Sequence, residues 1–132
     1  MATRKSPRKM PKWSPAPAPL VHWFNALLTD VAGVQVRKMF GFPAAFVNGN
    51  MFAGLFQDQI FLRLGDTERA FLLKEAGARV FEPMPGRPMR EYVVVPPTLV
   101  SSDQAARLWL EKSRAFVAML PPKQSRSKRK PS

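Results

Sequence analysis

Apolar residues recur with two different periods along this 132-residue chain. Leu20, Phe24, Leu27 and Val31 fall at helical spacing, with Trp23 and Leu28 beside them. Pro19 suits the first turn of that helix, where its missing N–H costs nothing, and Gly33 supplies a stop. From Val34 to Leu64 the period changes to that of strands. Val34–Phe40 reads as a strand, Gly41-Phe42-Pro43 as a bend or bulge in it, and Ala44–Val47 as its continuation. Proline cannot donate to a ladder, which makes that point an edge or a kink. Asn48-Gly49 is a hairpin signal, because both residues tolerate positive φ. Met51–Phe56 and Gln59–Leu64 are then the second and third strands, turning at Gln57-Asp58.

A two-residue loop at Gln57-Asp58 pairs 55 with 60, 53 with 62 and 51 with 64. One face then reads Met51, Ala53, Leu55, Ile60, Leu62, Leu64, which is core. The other pairs Phe56 with Gln59, Gly54 with Phe61 and Phe52 with Arg63. Three phenylalanines and an arginine are too aromatic for ordinary solvent exposure. Helices cover that face, a second copy packs on it, or a ligand such as a nucleic-acid base stacks there.

Downstream, Asp66 or Thr67 caps a short helix over Thr67–Ala76, with Gly77 at its end. Arg79–Glu82 is a short strand, Pro83–Met89 a proline-rich turn, and Glu91–Val95 a strand ended by Pro96-Pro97. Ser101 and Gln104 fit a capping box for a last helix. Its apolar stripe is Ala105, Leu108, Trp109, Ala115, Phe116, Met119 and Leu120, and Pro121-Pro122 stops it. The order α-β-β-β-α-β-β-α describes a two-layer α+β domain with an antiparallel sheet.

Charge divides the chain into three parts. Of the net charge of +12, ten units come from Arg4, Lys5, Arg8, Lys9 and Lys12 at one end and Lys123, Arg126, Lys128, Arg129 and Lys130 at the other. All nine acids lie between. Residues 1–17, which include the first part of the extended Ser14–Pro19 run, and residues 122–132 are expected to be disordered basic tails flanking a domain over 18–121. A polyanion partner would meet the tails first. Ser6-Pro7-Arg8-Lys9 is similar to the Ser-Pro-basic-basic unit of DNA-binding histone tails. No apolar run reaches eighteen residues, so no membrane span is expected, and the basic N-terminus leads into proline rather than an apolar signal region. The absence of cysteine excludes disulfides and thiolate sites and suits a cytoplasmic protein.

Chemistry is sparse. There is no glycine-rich phosphate loop, no HExxH and no Gly-x-Ser-x-Gly, and His22 has no acidic or thiol neighbour at metal spacing. Asp58, Asp66 and Asp103 sit at turns or caps. No catalytic residue, metal site or cofactor is expected. Two surface features remain. Arg37, Lys38, Arg63, Arg87 and Arg90 could converge on an anion, and Phe52, Phe56 and Phe61 could form an interface.

With the residues laid out this way, the chain resembles the N-terminal domain of the TfoX/Sxy family over residues 34–118. The resemblance rests on Arg37-Lys38-Met39-Phe40-Gly41, on Asn48-Gly49-Asn50-Met51-Phe52-Ala53-Gly54, on Ile60–Leu64 with Arg63, and on Phe81, Pro85-Gly86-Arg87-Pro88-Met89, Tyr92 and Pro96. Many members read Met-Phe-Gly-Gly-x-Gly where this chain has Phe42-Pro43-Ala44 after Gly41, which reads as a subgroup trait. The resemblance implies a two-layer α+β fold and a link to bacterial competence regulators, in which this domain precedes a helical one. It supplies no catalytic residues. The expected function is a non-enzymatic regulatory or interaction domain, dimeric, with tails that bind nucleic acid weakly. The alternative is a protein–protein adaptor or homodimeric domain with no nucleic-acid role.

Overall fold

A computed structural model describes residues 13–29 and 31–122. Helix α1 (Ala18–Leu28) leads into four consecutive strands, β1 (Val34–Met39), β2 (Phe42–Val47), β3 (Asn50–Phe56) and β4 (Gln59–Arg63). Helix α2 (Asp66–Leu73), strands β5 (Arg79–Met84) and β6 (Arg87–Val94), a short 3₁₀ helix (Pro97–Val100) and α3 (Asp103–Ala118) complete the chain. The six strands form one antiparallel sheet in the order β1-β2-β3-β4-β6-β5. The architecture is α+β, as the sequence implies, with one strand more than expected.

The extra strand comes from Phe40-Gly41, which makes a two-residue hairpin turn rather than a bend. Met39 pairs with Phe42 across it, and Phe40 and Gly41 have φ of 58° and 85°. Positive φ at both central positions is the turn that matches the strand twist. Pro43 is tolerated because β2 begins its registered pairing with β3 only at Ala44, opposite Gly54. Asn48-Gly49 turns the same way, at 53° and 81°. The turn at Gln57-Asp58 holds Gln57 at 57°, and the register it sets is the expected one, 56 with 59 through 53 with 62.

Beyond Ala53 that register fails, because β3 carries a bulge. Ala45 faces Ala53, but Phe46 faces Met51, so Phe52 is the additional residue. The bulge turns Phe52 to the helix side, where it lines a small cavity with Leu27, Leu28 and Val31 and with Leu110 of α3. Two side chains serve the carbonyls freed there. The buried Ser113 hydroxyl of α3 lies 2.6 Å from Phe52 O and 2.7 Å from Arg63 O, and its single proton is shared between them. The Tyr92 hydroxyl of β6 donates to Met51 O at 3.0 Å.

The sheet has a core on each side. On the helix face, Phe24, Leu27 and Leu28 of α1 and Ala106, Trp109, Leu110, Ser113 and Val117 of α3 are buried. The Trp23 indole N–H donates to Asp103 at 2.7 Å and ties α1 to the start of α3. The α3 stripe is therefore rotated from the expected one: Leu108, Ala115 and Met119 are exposed, and polar Ser113 lies at its centre. The cap is Ser102, whose Oγ accepts from Ala105 N, and not Ser101. The α2 helix starts at Asp66, one residue earlier than expected, with Gly65 rather than Asp66 or Thr67 at the N-cap, and ends at Leu73. The Pro83–Met89 turn contracts to Pro85-Gly86, its flanks joining β5 and β6.

On the far face the sheet curls. Phe56 of β3 and Phe81 of β5 are separated by two strands, which in a flat sheet means about 14 Å between backbones. Their rings are 5.3 Å apart. The β5–β6 hairpin thus closes over the face, stacking Phe81 on Phe61 at 4.1 Å with planes 11° apart. Phe42 joins the group at 5.2 Å from Phe56. Trp13 closes its end, which corrects the expected disorder through residue 17. From Trp13 onward the segment meets the fold, and the expectation for residues 1–12 and 123–132 falls outside the described residues.

Candidate nucleic-acid interface

The aromatic residues expected to offer a docking face are interior. Phe52, Phe56 and Phe61 are 0 %, 7 % and 1 % exposed. Phe52 leaves the face because of the bulge, and the other two are covered by Phe81, Phe42 and Trp13. Those three rings offer almost no exposed surface on which a second copy, a partner protein or a base could stack. Gly54 is the floor of the stack: a Cβ built there would stand 2.5 Å from Phe61 Cζ.

The five candidate basic residues do not form one cluster. Alternation from the register puts Arg37 on the far face, opposite Ala44, and Lys38 on the other, opposite Pro43. Arg63 pairs with Tyr92 at the end of β4. Arg87 stands beside the Pro85-Gly86 turn opposite Met84, and Arg90 lies in the stretch of β6 that has no registered partner in β5. Arg37, Lys38, Arg87 and Arg90 are exposed.

What the structure does assemble is a pair of guanidinium–aromatic contacts at one end of the far face. The Arg37 guanidinium lies 4.0 Å over the Phe46 ring. Arg63 lies 5.7 Å from the Tyr92 ring, held by Glu91 through an ion pair and an Nε–Oε1 hydrogen bond of 2.8 Å. Met51 lies between them, opposite Phe46. Burial pushes the Tyr92 phenol above its ordinary value, and the nearby Arg63 opposes that shift. Neither Phe46 nor Tyr92 was singled out as a site residue from sequence; the signal that could have found them is the alternation of β2 and β6 relative to Arg37 and Arg63. A guanidinium plane resting on an aromatic ring can offer its other side to a base or a phosphate.

Elsewhere the described residues present little chemistry. No group of three or more His, Cys, Asp or Glu among them could hold a metal. His22 is exposed on α1. A cleft of about 540 Å³ lies between α1, the β3–β4 turn and the 3₁₀ helix, walled by Leu20, Trp23, Ile60, Val95 and Val100 with Asp58 at its edge. Among the described residues no helix is long and apolar enough to cross a membrane. The ten tail cations named above lie outside the described residues.

Two comparisons with known proteins bear on this arrangement. The family model described as the TfoX N-terminal domain matches residues 26–117. No curated protein matches the chain.

Proposed function

The chain belongs to the TfoX N-terminal domain family, and on that footing we propose that it is a regulatory interaction domain, cytoplasmic and without catalytic activity of its own, that binds nucleic acid weakly. The Arg37–Phe46 contact carries this reading, with Arg63–Tyr92 beside it at the same end of the sheet. Both place a planar cation on the far face, where a strand of phosphates and bases can lie across it. The basic residues at the two ends of the chain supply the larger share of affinity, because each phosphate they neutralise releases counterions. Arg63 contributes less, since Glu91 already offsets its charge.

The test is binding to duplex and single-stranded oligonucleotides at two salt concentrations. It compares the wild type, a full-length variant with the ten tail cations replaced by glutamine, and Arg37→Ala. Binding at low salt that weakens in both variants supports the reading. No binding by the wild type at low salt refutes it, and undiminished binding by the tail variant refutes the role of the tails.

One observation favours the adaptor reading at a different surface from the expected one. Phe71 and Leu108 are 55 % and 56 % exposed. Gly65 lies against Phe116 and Glu68 pairs with Lys112, so α2 runs alongside α3 in the opposite direction. Exposed apolar residues on two neighbouring helices suit a protein partner. Phe71→Glu with Leu108→Glu would then abolish capture of that partner while leaving the melting temperature unchanged; unchanged capture removes this reading.

A further inference from the structure

The two edges of the sheet are built differently. β5, at one edge, carries Pro83 and two breaks in its register with β6, between Val80 and Phe81 and between Phe81 and Met84. Proline and irregular pairing keep an edge from accepting another strand. β1, at the other edge, pairs with β2 without a break over all six residues, Val34 to Met39, and holds no proline or glycine. Gln35, Val36, Arg37 and Lys38 are exposed, and among the described residues only β2 pairs with this strand. The hairpin fixes which backbone groups β1 presents. Its two-residue turn makes Met39 and Phe42 a hydrogen-bonded pair. Alternation then turns the N–H and C=O of Gln35 and Arg37 towards β2, and those of Val34, Val36 and Lys38 out of the sheet. Pro43 fits this phase, because opposite Lys38 its missing N–H costs β1 nothing.

We propose that β1 is a docking edge for an extended acidic segment of a partner protein, which adds to the sheet as one more antiparallel strand. Charge selects this occupant. Arg37 and Lys38 are the only charged residues of β1, adjacent in sequence and on opposite faces. Among the described residues no acid pairs with either. A second copy at the same edge would bring Arg37 and Lys38 of both chains, and no acid, to the seam. Two adjacent acidic residues in an incoming strand instead place one carboxylate on each face, opposite the two cations. Val36, 43 % exposed, calls for an apolar residue opposite it. Read from its N-terminus, against Lys38 and back to Val34, a strand that fits is Glu-Glu-Val-Thr-Val. This partner is a second ligand besides the nucleic acid proposed above, and it docks through backbone groups that nucleic acid does not use.

The probe is a fluorescein-labelled peptide with that core, capped at both ends and titrated with the full-length protein while anisotropy is read. Two changes each remove one backbone bond of the pair centred on Val36 and leave every charge in place. N-methylation of the first valine of the peptide removes its donor to the Val36 C=O. Val36→Pro removes the donor that Val36 offers. That N–H points out of the sheet, so the β1–β2 ladder is kept and the melting temperature should stay near that of the wild type. Each change is expected to weaken binding at least about tenfold, since the added methyl group or ring also blocks the approach of the strand. Equal binding of the N-methylated peptide overturns the docking edge, because attraction to the basic chain would then be ionic only. A peptide with lysine in place of both glutamates that binds as tightly overturns the acidic partner. No binding of the acidic peptide by the wild type up to about 1 mM overturns the proposal outright. A dimer of the free protein that Val36→Pro dissociates would give the edge to a second copy and overturn it as well.

Discussion

Replacing Gly54 by alanine tests whether the far face is packed as described. The added Cβ would lie 2.5 Å from Phe61 Cζ and 3.3 Å from the Ala44 Cβ. Real Cβ atoms do not approach a carbon so closely, so the Phe61 ring has to move. It is stacked on Phe81 at 4.1 Å, and Phe81 in turn meets Phe56 at 5.3 Å, so retreat opens the whole stack. Overpacking of this kind costs about 1–3 kcal/mol, and the disturbed aromatic pair adds roughly 1 kcal/mol. Against that, alanine restricts the unfolded chain and returns about 0.4–1 kcal/mol. The clash wins, with a net loss of about 2 kcal/mol, or a fall in Tm of roughly 8 °C or more for a domain of this size. Thermal unfolding followed by circular dichroism reads it directly. Combining Gly54→Ala with Phe61→Leu, which frees the space, should cost at least about 1 kcal/mol less than the two single changes added together. A Gly54→Ala protein that melts at or above the wild-type temperature refutes the close approach, and additive effects in the double variant refute its assignment to Phe61.

Ser113→Ala should destabilise by about 1–3 kcal/mol, since it leaves Phe52 O or Arg63 O buried without a donor; a denaturant midpoint equal to that of wild type would show the bulge is satisfied in some other way. Tyr92 is the only tyrosine, so absorbance near 295 nm titrates it alone, and its midpoint should lie above the ordinary value of 10.0. A group that holds its proton more tightly when folded contributes stability that is complete below the unfolded value and lost as pH rises through the folded one. Stability should therefore begin to fall near pH 10, and Tyr92→Phe should remove that part of the alkaline loss; a midpoint at or below 10.0 contradicts the burial of the phenol.

How much of this was legible in the sequence depends on which residues signalled their own geometry. Asn48-Gly49 announced its turn, and the two-residue loop at 57–58 fixed the pairing from Phe56/Gln59 to Ala53/Leu62, because side chains that favour or accept positive φ stood at the tips. Phe40-Gly41 did not announce itself: an aromatic residue at positive φ is a poor turn former, and it is held there by Trp13 and Phe56, contacts that no local window contains. The bulge at Phe52 was likewise invisible, since alternation assumes an unbroken ladder, and one added residue moved Phe52 to the opposite face. Ser113 hid the buried stripe of α3 because a hydroxyl reads as solvent-facing until its carbonyl partners on β3 and β4 are known. The candidate site suffered from the same cause. Counting aromatic residues located the far face, but only the curl of the sheet shows that Phe56 and Phe61 are interior while Phe46, under Arg37, and Tyr92, beside Arg63, stay partly exposed.

The most direct measurement of the functional account is the salt dependence of oligonucleotide binding by the full chain. Ten cations at the ends of the chain and Arg37 on the far face predict a plot of log K against log salt for a single strand steeper than about −2, corresponding to three or more phosphates at roughly −0.7 each. Replacing the ten tail cations by glutamine should bring that slope towards −0.7. A wild-type slope near zero, or one that the replacement leaves unchanged, would contradict it.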